Sequence, residues 1–144
     1  MIYFESSALV KKYVQEAGSE EVISRMVKSG PVVTAKLAYP EILSSLARKR
    51  REKALTEKDY HGALGDFEED WKEFLIIEFQ DELLPVMKLL SSRHPLKGAD
   101  LVHLGSAIWF GKAVREKITF VASDVQLLKI ARQEKMEVVN PEKE

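Results

Sequence analysis

The sequence predicts an α/β fold in which helices cover both faces of a central, mostly parallel sheet. Short runs of bulky apolar residues alternate along the chain with longer stretches whose apolar residues recur at helical spacing. This alternation is typical of parallel strands that are joined by right-handed helical crossovers. No linker, repeat or low-complexity tract divides the chain, so we expect one three-layer α/β/α domain over residues 1–144.

Five apolar runs have the composition of strands, and turn-forming residues separate them from the helical stretches. The predicted strands cover residues 2–4, 32–37, 75–79, 118–122 and 138–139. The last of them precedes Pro141, which is typical of a strand at the edge of a sheet.

Helical periodicity predicts helices at residues 9–14, 22–27, 40–53, 56–74, 81–95, 99–114 and 127–131. The first is expected to be capped at Ser6 and Ser7 and closed by Gly18. Thr56 and Asp59 form a capping pattern at the start of the fourth. The sixth helix is apolar on nearly every side, so we expect it to be largely buried.

Composition excludes several classes of protein. The 22 Lys and Arg residues are balanced by 23 Asp and Glu residues, and 45% of the chain is hydrophobic. These values exclude a disordered chain and argue against a strongly basic nucleic-acid binder of the histone type. Because the chain has no cysteine, a metal would be held by oxygen atoms or by the three histidines. With no signal peptide and no apolar stretch of membrane-spanning length, we expect a cytoplasmic protein without membrane contact.

Acidic residues follow the predicted strands at one edge of the sheet. Glu5 comes directly after the first strand, Glu41 lies in the first turn of the helix after the second, and Asp124 follows the fourth. Asp100 begins the buried helix, where an unneutralised charge would be costly. Because ligands bind beyond the C-terminal ends of parallel strands, we expect these four carboxylates to form a site there.

Carboxylates that are brought together repel one another, and a hard divalent cation relieves the repulsion. Mg²⁺ or Mn²⁺ would bind the carboxylate oxygens, keep several waters and share the remaining positions with a substrate phosphate. Such an ion promotes hydrolysis of a phosphodiester by activating water and stabilising the departing oxygen. Each acid also has an alternative interpretation as a helix cap or dipole partner, a role worth about 0.3–1 kcal/mol.

Four blocks of the sequence match a known family in order and spacing. They are residues 3–11 (YFESSALVK), Glu41 in the helix after the second strand, residues 99–104 (ADLVHL) and residues 120–124 (FVASD). Together they resemble the acidic blocks of the PIN-domain ribonucleases, and within these the VapC-type toxins of prokaryotic toxin–antitoxin pairs. The resemblance runs from Met1 to about Pro141.

The resemblance implies a PIN-like α/β/α sandwich and a metal-dependent endoribonuclease that cuts RNA with Mg²⁺ or Mn²⁺. It also implies a homodimer that is inhibited by a cognate antitoxin protein. Glu5 and Asp100 match the pair most directly associated with the metal, and Glu41 and Asp124 complete the acidic set. Ser7 and Ser123 would orient a carboxylate or a water molecule without binding the metal themselves.

Two positions depart from the family pattern. The first acid of the family is normally Asp, and Glu5 has one more methylene, which moves the carboxylate by about 1.5 Å. Because octahedral Mg²⁺ tolerates little displacement, the site is either rearranged or less active. The family often has Ser or Thr where this chain has Ala122, and Ser123 would point to the opposite side of an alternating strand.

His103 lies three residues after Asp100, on a similar helical face. It resembles a histidine that is frequent at this place in the family. Two interpretations are open, a side chain close to the metal and a packed histidine that is hydrogen-bonded within the fold.

Basic residues near the acids are candidates for binding RNA phosphates. Residues 48–53 carry five positive charges and one negative charge, and Arg48 follows Glu41 by two helical turns, about 10 Å. The alternative interpretation is a solvated helix end whose cations favour the C-terminal dipole. The candidate phosphate contacts are Arg48, Arg51, Lys11 and Lys12.

Two other functional classes are alternatives to the nuclease. A receiver-type phosphorylation domain needs a lysine after a late strand, where this chain has Ser123 and Asp124. The second class is a PIN-like module that has lost turnover and binds RNA or a protein partner. The replacement of Asp by Glu5 leaves this second class open.

Overall fold

The strands form one parallel sheet in a computed structural model that describes residues 1–143. All four strand pairings are parallel, and the order across the sheet is β3-β2-β1-β4-β5. The first strand is therefore central, and the last is an edge strand as predicted. The strands are β1 (Ile2–Phe4), β2 (Val32–Ala35), β3 (Leu75–Ile77), β4 (Thr119–Val121) and β5 (Glu137–Val139).

Helices connect the strands in the predicted order. The capping pattern at Thr56 is confirmed, because its side chain accepts a hydrogen bond from Asp59 N at 3.0 Å. Short 3₁₀ turns cover Val10–Lys12 and Asp81–Leu83. The helices are α1 (Ser6–Leu9), α2 (Ser19–Ser29), α3 (Ala38–Arg51), α4 (Glu57–Trp71), α5 (Leu84–Arg93), α6 (Gly98–Val114) and α7 (Val125–Gln133).

The first helix differs from its prediction. It begins at Ser6, immediately after β1, because the side chain of Glu5 takes the capping position that was assigned to the serines. Gly18 does not close this helix. It has a φ of 92° and precedes α2, and a Cβ at this position would lie 3.0 Å from the carbonyl carbon of Pro141. Glycine is thus required here both by the left-handed backbone and by the close approach of the C-terminal segment.

Side chains from the two faces of the sheet form two separate cores, which confirms the predicted three-layer α/β/α sandwich. Tyr3 and Phe4 are neighbours in β1 and point to opposite faces, since strand side chains alternate. Tyr3 belongs to the core beneath α5, α6 and α7, and Phe4 belongs to the core beneath α1 to α4. As predicted, α6 is buried over residues 102–107.

No helix within residues 1–143 is both long enough and apolar enough to cross a lipid bilayer.

Candidate functional site

A cleft of about 420 Å³ opens where the chain leaves β1 at the C-terminal edge of the sheet. Glu5 lies in it because it directly follows β1, and Glu41 lies in it because α3 starts just after the neighbouring strand β2. The parallel topology thus brings together residues that are far apart in the chain. The predicted site residues that line this cleft are Glu5, Ser7, Lys11, Glu41, Arg48 and Ser123.

Glu5 is held at the bottom of the site by Ser7. Its Oε1 accepts hydrogen bonds from the Ser7 backbone N–H at 3.0 Å and from the Ser7 hydroxyl. The same hydroxyl accepts a hydrogen bond of 2.8 Å from Ser123 N, so Ser7 links the ends of β1 and β4. Glu5 is only 8% exposed, and this burial raises its pKa despite the opposing effects of His103 and the Ser7 hydrogen bonds. Glu5 therefore serves as a helix cap and as a buried carboxyl at once.

Glu41 has a different environment, because two donors meet on one of its oxygens. Its Oε1 accepts a hydrogen bond of 2.6 Å from Ser6 Oγ and lies 2.6 Å from His103 Nε2. Partial burial raises the pKa of Glu41, but the contacts with His103 and Ser6 outweigh it and leave the pKa below its ordinary value. The sequence leaves two interpretations open for His103. In the structure its side chain is fully buried and its Nε2 contacts Glu41.

Asp100 lies in the first turn of α6 and is half-buried. Its side chain has no hydrogen bond or ion pair with any residue of the described range 1–143. Burial raises its pKa, and the charges of Asp124 and Glu41 raise it further, against His103 and Lys97. Asp124 caps α7, since its Oδ1 accepts from Leu127 N at 3.0 Å. The capping interpretation of Asp124 is thus confirmed, and its charge also acts on Asp100.

The four carboxylates influence one another, although they do not form a ready-made metal cage. Glu41 raises the pKa of Glu5, and Asp124 raises that of Asp100, which is the repulsion that a cation relieves. In the part of the chain that the structure describes, no three acidic or histidine side chains converge closely enough to hold an ion. The physical reason is that Glu5 is turned toward Ser7 and Glu41 toward Ser6 and His103.

The chemistry of the donors nevertheless fits Mg²⁺ or Mn²⁺. These ions are commonly bound through one or two carboxylates, with water and substrate completing the coordination sphere. Asp100 and Asp124 supply such a pair. In addition, the buried hydroxyl of Ser123 has no hydrogen-bond partner within residues 1–143, so an oxygen beside Glu5 is left to bind a further polar group.

The structure separates the predicted basic residues into two groups. Arg48 lines the cleft together with Glu41, at the spacing expected from two helical turns. Lys11 also lines it, but it is buried and its Nζ lies 3.0 Å from Glu16 and 3.3 Å from Glu142.

The other two basic residues lie outside the cleft. Lys12 is paired with Asp70 of α4 and borders a different depression. Arg51 is exposed at the end of α3.

Sequence reasoning missed two residues that contact the acids. Ser6 was assigned to a cap, although its hydroxyl binds Glu41. Tyr3 was assigned only to a strand, although its hydroxyl lies 2.7 Å from His103 Nδ1. The available signal was the tyrosine itself, because a buried phenol in an apolar strand needs a hydrogen-bond partner.

The chain is similar to two ribonucleases of Mycobacterium tuberculosis. No family model matches the chain. Ribonuclease VapC45 of Mycobacterium tuberculosis (strain CDC 1551 / Oshkosh) is 35% identical over 115 residues, which span 77% of this chain and 77% of the relative. Ribonuclease VapC49 of Mycobacterium tuberculosis (strain ATCC 25618 / H37Rv) matches with the same identity and the same coverage.

A solved structure shares the fold. It is a chain from the crystal structure of VapBC2 from Rickettsia felis, which is bound to a DNA fragment from the VapBC2 promoter. The TM-score is 0.66, with 15% identity, over 97% of this chain and 98% of that chain. This likeness agrees with the three-layer α/β/α architecture described above.

Proposed function

The chain belongs to the VapC ribonuclease family, and on this premise we propose that the acidic edge of its sheet is the active site of a metal-dependent endoribonuclease. One observation carries the proposal. Among the carboxylates Glu5, Glu41, Asp100 and Asp124 at the C-terminal edge of a parallel sheet, Glu41 raises the pKa of Glu5, and Asp124 and Glu41 raise that of Asp100. Such mutual repulsion has no structural benefit, so it indicates a site that is built to receive positive charge.

The residues have distinct roles in this proposal. Asp100 and Asp124 would hold Mg²⁺ or Mn²⁺ with water and substrate oxygens, and Glu5, which Ser7 keeps in place, would add negative charge to the site. When bound, the ion supplies a Lewis acid that polarises a phosphoryl group and lowers the pKa of a water molecule. Glu41 is ionised at neutral pH, and its Oε2 makes no hydrogen bond within residues 1–143, so this oxygen can accept a proton from the attacking water.

Cleavage of RNA with and without divalent cations tests the proposal. Purified protein is incubated with a structured RNA in Mg²⁺, in Mn²⁺ or in EDTA, and the products are separated on a denaturing gel. We expect internal cuts with either ion and none in EDTA. A chain that cuts equally well in EDTA would contradict metal dependence, and a chain that cuts in no condition would contradict the nuclease.

Arg48 is the residue that we expect to bind the RNA backbone within the cleft. It lies along α3 from Glu41 and forms no ion pair within residues 1–143, so its guanidinium can pair with a phosphate. Arg48→Ala should weaken RNA binding by roughly tenfold, about 1.4 kcal/mol. The slope of log affinity against log salt should also become shallower by about 0.7, the value for one phosphate of a single strand.

Arg51→Ala is the matched control for that prediction, because it removes the same charge from the same helix outside the cleft. Both variants are compared by fluorescence anisotropy across a salt series. If both variants lost the same affinity, the basic residues at the end of α3 would attract RNA by their total charge. Arg48 would then not bind a particular phosphate in the cleft.

A second candidate function is a PIN-like module that binds RNA or a protein partner without cutting. The observation that favours it is the combination of the longer Glu5 side chain with the lack of three converging metal-binding groups in the described residues. RNA binding that persists in Mn²⁺ without any cleavage would support this second function.

We also propose that a cognate antitoxin protein binds this chain, that the chain forms a homodimer and that it acts in the cytoplasm as the toxin of the pair. Two findings support this: the family relatives, and the fold shared with a chain of a VapBC2 assembly.

A further inference from the structure

Three side chains from three separate elements form a line of hydrogen bonds that ends at the active site. The Tyr3 hydroxyl in β1 lies 2.7 Å from His103 Nδ1, and His103 Nε2 in α6 lies 2.6 Å from Glu41 Oε1 in α3. Tyr3 and His103 are both fully buried. A polar pair in this position costs free energy unless each group has a partner, so its geometry is constrained.

The line has a definite direction. A phenol is protonated at neutral pH, so the Tyr3 hydroxyl has a proton to donate. The Thr34 side chain and the Ala35 backbone also hydrogen-bond to this hydroxyl, and we assign its proton to His103 Nδ1, the acceptor at 2.7 Å. A neutral imidazole that accepts at Nδ1 carries its own proton on Nε2, which faces Glu41.

Ring packing fixes the first two members. The Tyr3 ring stacks on Phe120 with centroids 5.4 Å apart and an angle of 10° between the planes. The His103 ring meets the Tyr3 ring edge to face at 5.9 Å. By contrast, the side chain of Glu41 is 30% exposed and is held by its hydrogen bonds alone.

We propose that Tyr3 and His103 are positioning residues that hold Glu41 as a fixed acceptor in the cleft. Tyr3 selects the imidazole tautomer, and the Nε2–H of His103 then binds Oε1 of Glu41 and leaves Oε2 for the reaction. The inference rests on the proposed nuclease function for its catalytic meaning, whereas the tautomer can be measured independently of any activity.

Tyr3→Phe is the first test, because it removes only the hydroxyl and keeps the ring on Phe120. The matched control is Tyr13→Phe, which removes a partly buried hydroxyl from Asp70, outside the line. The ¹⁵N resonances of His103 should show the Nε2–H tautomer in the wild-type protein and in Tyr13→Phe, and a mixture of tautomers in Tyr3→Phe. A wild-type protein that carries the proton on Nδ1 would overturn the inference.

Kinetics form the second test. Tyr3→Phe should lower kcat by about 10- to 100-fold, the usual effect of losing a group that orients an active-site ligand, with KM nearly unchanged. Tyr13→Phe should keep kcat within about twofold of wild type, a change too small to reflect lost transition-state stabilisation. Unchanged kcat in Tyr3→Phe would contradict the positioning role.

Rescue by a conservative variant separates positioning from simple packing. His103→Gln places an amide N–H where Nε2–H stood, whereas His103→Leu fills the space without a donor. We expect His103→Gln to retain more activity than His103→Leu at equal thermal stability, and equal losses would overturn the proposal. A wild-type protein that cuts no RNA would contradict the nuclease function. The ¹⁵N measurement would still decide whether the line of hydrogen bonds exists.

Discussion

Replacing Asp100 by Asn is expected to abolish RNA cleavage and to stabilise the protein in the absence of divalent cations. Loss of groups that merely support a metal ligand costs about 10- to 100-fold in activity, so loss of a carboxylate that binds the ion should cost at least about 100-fold. The stabilisation follows from the raised pKa of Asp100, which is due to burial and to Asp124. Activity and stability should thus change in opposite directions.

The sign of the stability change depends on pH. A carboxyl whose pKa is higher in the folded protein than in the unfolded chain opposes folding when it is ionised. This cost is complete above the folded pKa and disappears as pH falls below the unfolded value. Asp100→Asn should therefore melt at a higher temperature than wild type at pH 7 in EDTA, and the difference should shrink on acidification.

Melting curves at several pH values, together with the gel assay, measure both effects. The control is Asp81→Asn, which changes an exposed acid in the first turn of another helical segment. A lower melting temperature for Asp100→Asn at pH 7 would mean that Asp100 stabilises the fold, and its raised pKa would then have been wrongly interpreted.

Addition of Mn²⁺ to the wild-type protein should raise its melting temperature, and Glu5→Asp should increase the response. A ligand at a hundredfold excess over its Kd stabilises the folded state by about 2.7 kcal/mol. For a domain of this size that corresponds to roughly 5–10 °C. Shortening Glu5 by one methylene moves its carboxylate by about 1.5 Å and restores the Asp that the family pattern has, so the same Mn²⁺ concentration should produce a larger shift.

The thermal-shift titration includes Glu82→Asp as control, since it shortens an exposed glutamate in the same manner. This variant should respond to Mn²⁺ like wild type. If neither wild type nor Glu5→Asp responds, the metal site is refuted, whatever the position of the acids.

Local patterns in the sequence predicted most of the fold. The apolar runs and the capping pattern at Thr56 depend on neighbours within a few residues, so they can be recognised without a structure. The short α1 could not be recognised in this way. Its start depends on a glutamate that caps from the end of a strand, and Glu is not among the residues that usually cap helices.

The same distinction applies to the site. The acids were predicted to meet because parallel strands end at one edge, which is a rule of topology. Side-chain partners follow no such rule. Lys12 pairs with Asp70 across 58 residues, and Tyr3 reaches His103 across 100. Only the packed tertiary structure determines which polar groups become neighbours. The sequence therefore did not identify Tyr3 and Ser6 as polar partners in the site, and it predicted Lys12 as a phosphate contact.

The central position of β1 has a consequence for biosynthesis. Residues 2–4 pair with residues 119–121 as well as with β2, so the sheet cannot close until the ribosome has extended the chain past β4. Pairing across such a separation is also slow, because a long loop must close first. Glu5 follows β1 and Asp124 follows β4, so a nascent chain that has not yet been extended past β4 lacks both Asp124 and the closed sheet. Under the proposed function, the chain would therefore gain nuclease activity only after β4 and Asp124 have been synthesised.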